Sequence, residues 1–430
     1  MEFHRFVAVA RASCSELKSH MDAGYISKDE FSVLAAQIDE LTPHSWCASK
    51  KSQGKSGQGL ISRASRPAPR ALTIHPMFDE SRAVNFARAM PNWQPLVEYR
   101  RNGVAENTIH GAVSWVSGRN LIYSFGGNVE VYGRSMSKPI MMKVFAEEFR
   151  TALTSEQQAI AVASHNGDTE HVRVARSLLL QSEWGMMQTP LDVPLVQFGR
   201  QVRRPRRWYH CCSGEHAAIL RGCRLKGWSR VGYVWPHHPF FQDYLAYIRR
   251  ILGPEWMVGT IAKDGCGLPT ISMTVTDLAR LFANLVTEKE KDWIWNAMVA
   301  HPDLIGGFNR LDSTILKACD GRVIAKEGAD GLLGLSIEHP QYPEGLGVVV
   351  KIAHGWNPQA TWYVARYILG VLGFEFRNPY KLRRQKPFIV PEAIPPNLRD
   401  RMAAIQPWDS WDPDIDRWEF DPEEFVAAPR

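Results

Sequence analysis

Two serines and two lysines carry the chemistry that this sequence suggests. In "GRSMSKPIMMKVFAEEF", Gly133 to Phe149, Ser135 stands three residues before Lys138 where the chain enters a helix, with Arg134 just ahead. Residues three apart share a helix face, so the spacing predicts a hydroxyl and an amine that share one proton. A serine hydroxyl needs such a base to become a nucleophile, and a lysine serves as one only if burial or a nearby cation lowers its pKa. Arg134 is the candidate cation. The spacing alone is common, and it gains weight only from other elements in the chain.

Two more elements follow in order. "ASHNGDTEH" carries Ser164 and Asn166, a Ser-x-Asn element, and "AKEGADG" carries Lys326 two residues before Gly328 at the start of an expected strand. Ser-x-x-Lys, Ser-x-Asn and Lys-x-Gly in this order match the elements of penicillin-recognising serine enzymes. The bland alternative is a set of capping and turn residues, which Ser and Asn favour in any case.

These side chains need a scaffold. "PLVEYRRNGVAENTIHGAVSWVSGRNLIYSFG" alternates apolar and polar residues around Gly and Asn turns and predicts paired strands. Helices are expected after Ser135, after Thr154, and through "DTEHVRVARSLLLQ", "HPFFQDYLAYIRRIL" and "TVTDLARLFANLV". The chain returns to strands in "RVIAKEGADGLLGLSIEHP" and "EGLGVVVKIAHG" and closes on the helix "QATWYVARYILGVLGF". Strands, a helical middle, then strands and a helix imply an α+β fold in which chain-distant strands join one mixed sheet.

The ends read differently. Residues 1–45 have helical periodicity and predict a hairpin extension, and residues 46–75 form a basic linker rich in Ser, Gly and Pro. A catalytic domain is expected over 90–378. Residues 379–430 form a Pro-, Trp- and Asp-rich tail whose Trp408, Trp411 and Trp418 are expected to pack back onto the domain.

Composition excludes several classes. With 430 residues, 45% of them hydrophobic, the chain has ample material for a core. A net charge of +6 is small for this length, and the Arg203, Arg204, Arg206 and Arg207 cluster lacks an aromatic or helix-turn-helix context, so no nucleic-acid partner is expected. Seven cysteines without regular spacing, with no clear signal peptide and no membrane-length apolar run, point to a cytoplasmic protein with free thiols. A homodimer is compatible with the sequence but is not required by it.

Longer motifs carry a family resemblance. "PLVEYRRNGVAENTIHGAV", "RSMSKP", "ASHNGDTEHV", "CSGEHAAIL", "DGCGLPT", "HPDLIGGFNRLDS" and "AKEGADG" occur in this order over about Trp93 to Phe376. They resemble the rhizobial-type L-asparaginase family, also called asparaginase II. Its members have a serine β-lactamase-like fold and hydrolyse L-asparagine to aspartate and ammonia.

The resemblance implies roles residue by residue. Ser135 and Lys138 match the nucleophile and its lysine, Ser164 and Lys326 the second pair, and Arg134 the arginine before the nucleophile. Asp264 in "DGCG" matches an aspartate placed to hold the substrate's α-ammonium, Asn166 belongs to the second serine element, and Arg310 and Asp312 in "NRLDS" help shape the cleft. The family also has a zinc site of two cysteines and a lysine. Its cysteines match Cys212 and Cys266, but this chain reads "CSGEH", so Glu215 stands where the family has lysine. Two thiolates and a carboxylate are acceptable zinc ligands with a fourth position for water, and two buried free thiols are the alternative. His210 and His216 are neighbouring candidate ligands.

The expected activity is therefore hydrolysis of a small-molecule side-chain amide through an acyl-enzyme. Two other readings remain: a related serine enzyme acting on a larger amide, lactam or ester, and a non-enzymatic scaffold that binds through its hairpin and tail.

Overall fold

The structure is a computed structural model that describes residues 91–101, 104–191, 206–355, 357–380 and 386–405. The chain divides into two units, Met1–Asn85 and Phe86–Arg430, and the described residues belong to the second. The expected hairpin over 1–45, the linker over 46–75 and the tryptophans of the tail lie outside the described residues.

The main sheet runs in the order β10 (Lys386–Ile389), β1 (Gln94–Arg101), β2 (Val104–Ser117), β9 (Tyr342–Ile352), β8 (Leu332–His339) and β7 (Val323–Gly328), with β3 (Asn120–Phe125) also on β2; its pairs are all antiparallel, so it is not the mixed sheet expected from the sequence. β1 (Gln94–Arg101), β2 (Val104–Ser117) and β3 (Asn120–Phe125) form the expected early strands. β7 (Val323–Gly328), β8 (Leu332–His339) and β9 (Tyr342–Ile352) are the late ones. The two sets meet where β2 pairs β9, from Gly111 opposite Ile352 to Ser117 opposite Leu346. This is the joining of chain-distant strands that the α+β pattern implies.

Period-two alternation on β2 and β9 builds two cores. Ala112, Val116 and Val349 face one of them, whereas Val113, Trp115, Val348 and Val350 face the other. Strands covered on both faces read as the nearly unbroken apolar run "LGVVVKI". On the first face packs α7 (Val275–Thr287), capped by Thr274, whose side chain accepts from the Asp277 N–H. It approaches so closely that a Cβ added at Gly347 would lie 2.1 Å from the Ala279 carbonyl oxygen. On the second face packs α11 (Pro358–Gly370), where the Asn357 side chain accepts from Ala360 N–H and a proline opens the first turn.

The helical middle comprises α1 (Lys138–Met141), α2 (Ala146–Ala152), α3 (Ser155–Ala161), α4 (Thr169–Ser177), α5 (Ser213–Leu225), α6 (Pro239–Leu252), α8 (Ile294–Ala300), α9 (Pro302–Ile305) and α10 (Leu311–Ala318). α3 starts in a capping box, Thr154 with Gln157. A small second sheet, β4 (Glu130–Tyr132), β6 (Pro269–Thr274) and β5 (Ile261–Lys263), stands beside this region. No helix among the described residues is long and apolar enough to cross a membrane.

One boundary differs from the sequence reading. β10 (Lys386–Ile389), placed in the tail by its composition, extends the sheet at its β1 edge, with Val97 opposite Ile389. Turns over Pro391–Ala393 and Pro396–Ala404 follow it, and Ala393, Ile394 and Leu398 are buried in the second core. An edge position tolerates the proline at 387, so the segment joins the sheet without strict alternation.

Candidate active site

β4 delivers the chain to Gly133, and Arg134 then takes a left-handed backbone conformation with φ of 47°. A 3₁₀ turn over Arg134–Ser137 leads into α1, whose Pro139 needs no amide donor in the first turn. This turn leaves Ser135 half-buried and drives Lys138 inward, where it is 1% exposed. The Lys138 ammonium donates to the Ala163 carbonyl at 2.6 Å and lies 3.2 Å from Glu215 Oε2.

The expected shared proton between Ser135 and Lys138 is therefore not what the geometry shows. Among the described residues no hydrogen bond joins them, and Ser135 Oγ instead meets Cys212 Sγ at 3.8 Å. A carboxylate and a carbonyl outcompete a neutral hydroxyl for an ammonium, and they draw the side chain away. Nor does Arg134 lower the lysine's pKa. Burial pushes Lys138 down, but the Cys212 thiolate, whose pKa is held well below its ordinary value, and then Glu215 outweigh it and hold the amine above its ordinary value. Arg134 is engaged elsewhere, with Nε 2.9 Å and Nη2 2.7 Å from Asp264 Oδ1, and with Asp330 as a second carboxylate partner.

The second serine and lysine sit deeper. Ser164 N–H donates to Ile305 O at 2.8 Å and Asn166 N–H to Gly306 O at 2.9 Å, which stitches this segment to the end of α9. Arg310 Nη1 donates to Ser164 O at 2.8 Å, and its Nε to Glu327 Oε2 at 3.1 Å. Lys326 projects from β7 to the Glu327 carbonyl at 2.8 Å and to Asp312 Oδ2 at 3.4 Å. Ser164 Oγ is buried and makes no hydrogen bond. Burial pulls the Lys326 amine down to about 8; Asp312 opposes the shift, while the Lys138 and Arg310 cations add to it. Burial also pushes the Asp312 carboxyl up, but Lys326 and Arg310 hold it below its ordinary value.

The pairs converge. Ala163, which holds Lys138, directly precedes Ser164, and β7 abuts the Arg134–Ser137 turn so tightly that a Cβ at Gly328 would lie 3.0 Å from Met136 N. Ser135, Glu215, Asp264 and Cys266 line one small cavity of about 10 Å³. Outside Arg134 and Asp264 opens a cleft of about 680 Å³ whose walls include Trp93, Tyr132, Lys263 and Asp330.

A cysteine cluster adjoins Ser135. α5 begins at Ser213, so Cys212 and Glu215 fall within a single turn at its start, and Cys266 arrives on the loop between β5 and β6. The Sγ atoms of Cys212 and Cys266 and a carboxylate oxygen of Glu215 lie within 4.8 Å of one another, and all three residues are buried. His210, Cys211 and Cys212 form a second such group. His210 Nδ1 accepts from the Cys212 N–H at 3.0 Å, and His216 Nδ1 pairs with Tyr233 OH at 2.7 Å, so both rings orient the loop and helix.

Ser135, Lys138, Ser164, Lys326 and the cysteine cluster all lie within one match. The model of a family described as L-asparaginase II matches residues 97–389. The chain belongs to the L-asparaginase II family. No curated protein matches it.

Within this L-asparaginase II chain, Glu327 and Thr270 lie inside the "AKEGADG" and "DGCGLPT" motifs, which gave them no role. Glu327 adjoins Lys326, is paired with Arg310 and accepts from Tyr380 OH at 3.3 Å, so the segment beyond α11 reaches the site. Thr270 on β6 accepts from Arg134 N–H at 3.1 Å and braces the left-handed residue. The arginine and glutamate that pair here are seventeen positions apart, and only the α10–β7 connection brings them together.

Proposed function

We propose that this chain hydrolyses a side-chain amide of the L-asparagine type through an acyl-enzyme on Ser135, on a serine β-lactamase-like scaffold. The observation that carries this reading is the convergence of the Ser135 turn, Lys138, Ser164 and β7 with Lys326 around one buried region.

Ser135 Oγ attacks the amide carbonyl carbon, the C–N bond breaks, and ammonia departs with the proton that the hydroxyl released. Water then cleaves the ester and frees the acid. Lys138 is an ammonium held by Ala163 and Glu215, so it acts as fixed positive charge next to the reaction rather than as the resting base. The proton passes towards Lys326 by way of Ser164, whose buried hydroxyl has no hydrogen-bond partner in the resting site and is left to take part in such a relay. An amine poised near neutrality by burial and neighbouring cations is suited to exchange protons at each step. Arg134 and Asp264 at the cleft floor offer one charge of each sign to a zwitterionic substrate.

Zinc fits the cysteine cluster. Cys212, Cys266 and Glu215 would hold it, since their two Sγ atoms and a Glu215 carboxylate oxygen already lie within 4.8 Å of one another and all three residues are buried. Two thiolates and a carboxylate exceed the charge of a divalent ion by one, and the Lys138 ammonium beside Glu215 balances that excess. A zinc ion there would supply Lewis-acid polarisation next to Ser135. The same reading places the protein in a reducing compartment, where the free thiols Cys211, Cys212, Cys223, Cys266 and Cys319 persist.

The cleft volume falls within the range of sites for much larger ligands, so the deciding assay sets L-asparagine against larger amides, lactams and esters under one set of conditions. Ammonia release from L-asparagine, loss of turnover in Ser135→Ala with the fold intact, and zinc in the freshly purified protein support the proposal. A fully active Ser135→Ala enzyme removes the nucleophile assignment, and activity confined to esters or lactams replaces the substrate.

A further inference from the structure

A second large concavity lies away from the candidate active site. It measures about 990 Å³ and is formed by the end of α11, the segment after it and the last described turn; Trp362, Phe374 and Phe376 are among its aromatic walls, and Arg366, Arg377 and Arg401 among its cations. Arg377 is exposed, and Arg401 donates to the Val371 carbonyl at 3.2 Å. Ile405, the last described residue, is itself part of the wall.

The chain that continues from Ile405 has the complementary chemistry. Residues 406–430 read "QPWDSWDPDIDRWEFDPEEFVAAPR", with eight acidic residues against two arginines and with Trp408, Trp411, Trp418, Phe420 and Phe425 among them. Trp408 is three positions beyond Ile405, a reach of about 10 Å for extended chain, so the first indole needs no excursion to enter the groove. Aromatic side chains each bury about 150–250 Å² of surface, and they stack well on guanidinium planes. The family match ends at residue 389, so the groove wall at 401–405 and the acidic aromatic run both lie beyond the part shared with the family.

We propose that the groove beside α11 is the docking site of this chain's own acidic tail, with Trp408 and Trp411 inserted between its aromatic walls and the flanking aspartates against Arg377 and its neighbours. The tail is then an intramolecular ligand that closes the second core. Its seat adjoins the 375–380 segment that ends at Tyr380, the residue hydrogen-bonded to Glu327 beside Lys326. The inference stands on the groove and the tail chemistry, independently of any reaction at Ser135.

Amide hydrogen exchange on the full chain tests it. Trp408→Ala with Trp411→Ala is expected to speed exchange at least fivefold over residues 370–378 and 398–405 and to leave residues 134–145 unchanged, which also shows that the variant is folded. Arg377→Glu is expected to do the same in part, and adding Asp409→Lys and Asp412→Lys to it is expected to restore protection; raised salt should weaken the wild-type protection. Unchanged exchange in the double tryptophan variant overturns the proposal. Protection that depends on protein concentration also overturns it, because the occupant is then a second copy.

Discussion

Lys138 and Glu215 form a buried pair, with Nζ 3.2 Å from Oε2 and the side chains 1% and 3% exposed; burial pushes the Glu215 carboxyl up to about 8, and the Lys138 ammonium opposes that shift and favours the ion pair. The pair links the turn that carries Ser135 to the start of α5, where Cys212 also sits. A charge removed from water is costly unless its partner stays, so each member is held in place by the other.

Removing one partner should therefore be worse than removing both. Glu215→Leu is expected to cost about 3–5 kcal/mol in urea unfolding, because it takes the carboxyl partner from a buried ammonium and leaves it the Ala163 carbonyl and the Cys212 thiolate. Lys138→Met combined with Glu215→Leu should recover most of that loss, while turnover stays abolished. A double-mutant cycle with a coupling near zero would show that the two charges do not depend on each other.

The Lys326 amine gives the pH dependence a sign. With its pKa lowered to about 8, it is an ammonium below that pH and a free base above it, so kcat/KM should rise tenfold per pH unit on the acid side and level off above about 8. Asp312 raises that pKa, so Asp312→Asn should move the limb to lower pH. Stability follows the same proton. Between about 8 and the ordinary 10.5, the unfolded chain keeps the proton that the native amine has lost, so native stability should rise with pH across that window. Lys326→Met should flatten the rise, as pH-dependent urea midpoints would show.

The motifs made much of this site legible. Ser135, Ser164 and Lys326 are spaced by elements whose order survives in the fold, and the alternation on β2 and β9 announces strands that meet across the whole domain. What the sequence could not show is who wins each side chain. Spacing placed Lys138 beside Ser135, but a carboxylate from α5 takes it, and no local pattern encodes that contact. β10 stayed hidden because an edge strand needs neither alternation nor freedom from proline, and β4, β5 and β6 are too short or too evenly buried to stand out.

Gly214 tests whether the start of α5 sets the site. A Cβ there would lie 2.2 Å from the Ile160 carbonyl oxygen, a backbone atom that cannot step aside. Gly214→Ala should push α5 away from α3 and carry Cys212 and Glu215 with it. The expected result is turnover lowered at least a hundredfold together with reduced zinc content, while circular dichroism shows the helices retained. Normal activity and metal content would mean that the helix start tolerates displacement.

Arg134 combines a strained backbone with the substrate-binding role proposed for it, and two substitutions separate them. Its φ of 47° is left-handed, a region that costs a residue with a Cβ about 1 kcal/mol and glycine almost nothing. The cost is met in the wild type by the contacts to Asp264 and Asp330 and by the Thr270 hydroxyl that accepts from its amide. Arg134→Ala loses the side-chain contacts and keeps the strain, whereas Arg134→Gly loses both. Arg134→Gly should therefore be the more stable of the two by about 1 kcal/mol in thermal unfolding, with Gly's greater unfolded-state freedom reducing the gap. Both should raise KM at least tenfold, since neither offers a guanidinium to the substrate carboxylate or positions Asp264. Equal KM values in wild type and both variants would move substrate recognition away from this arginine.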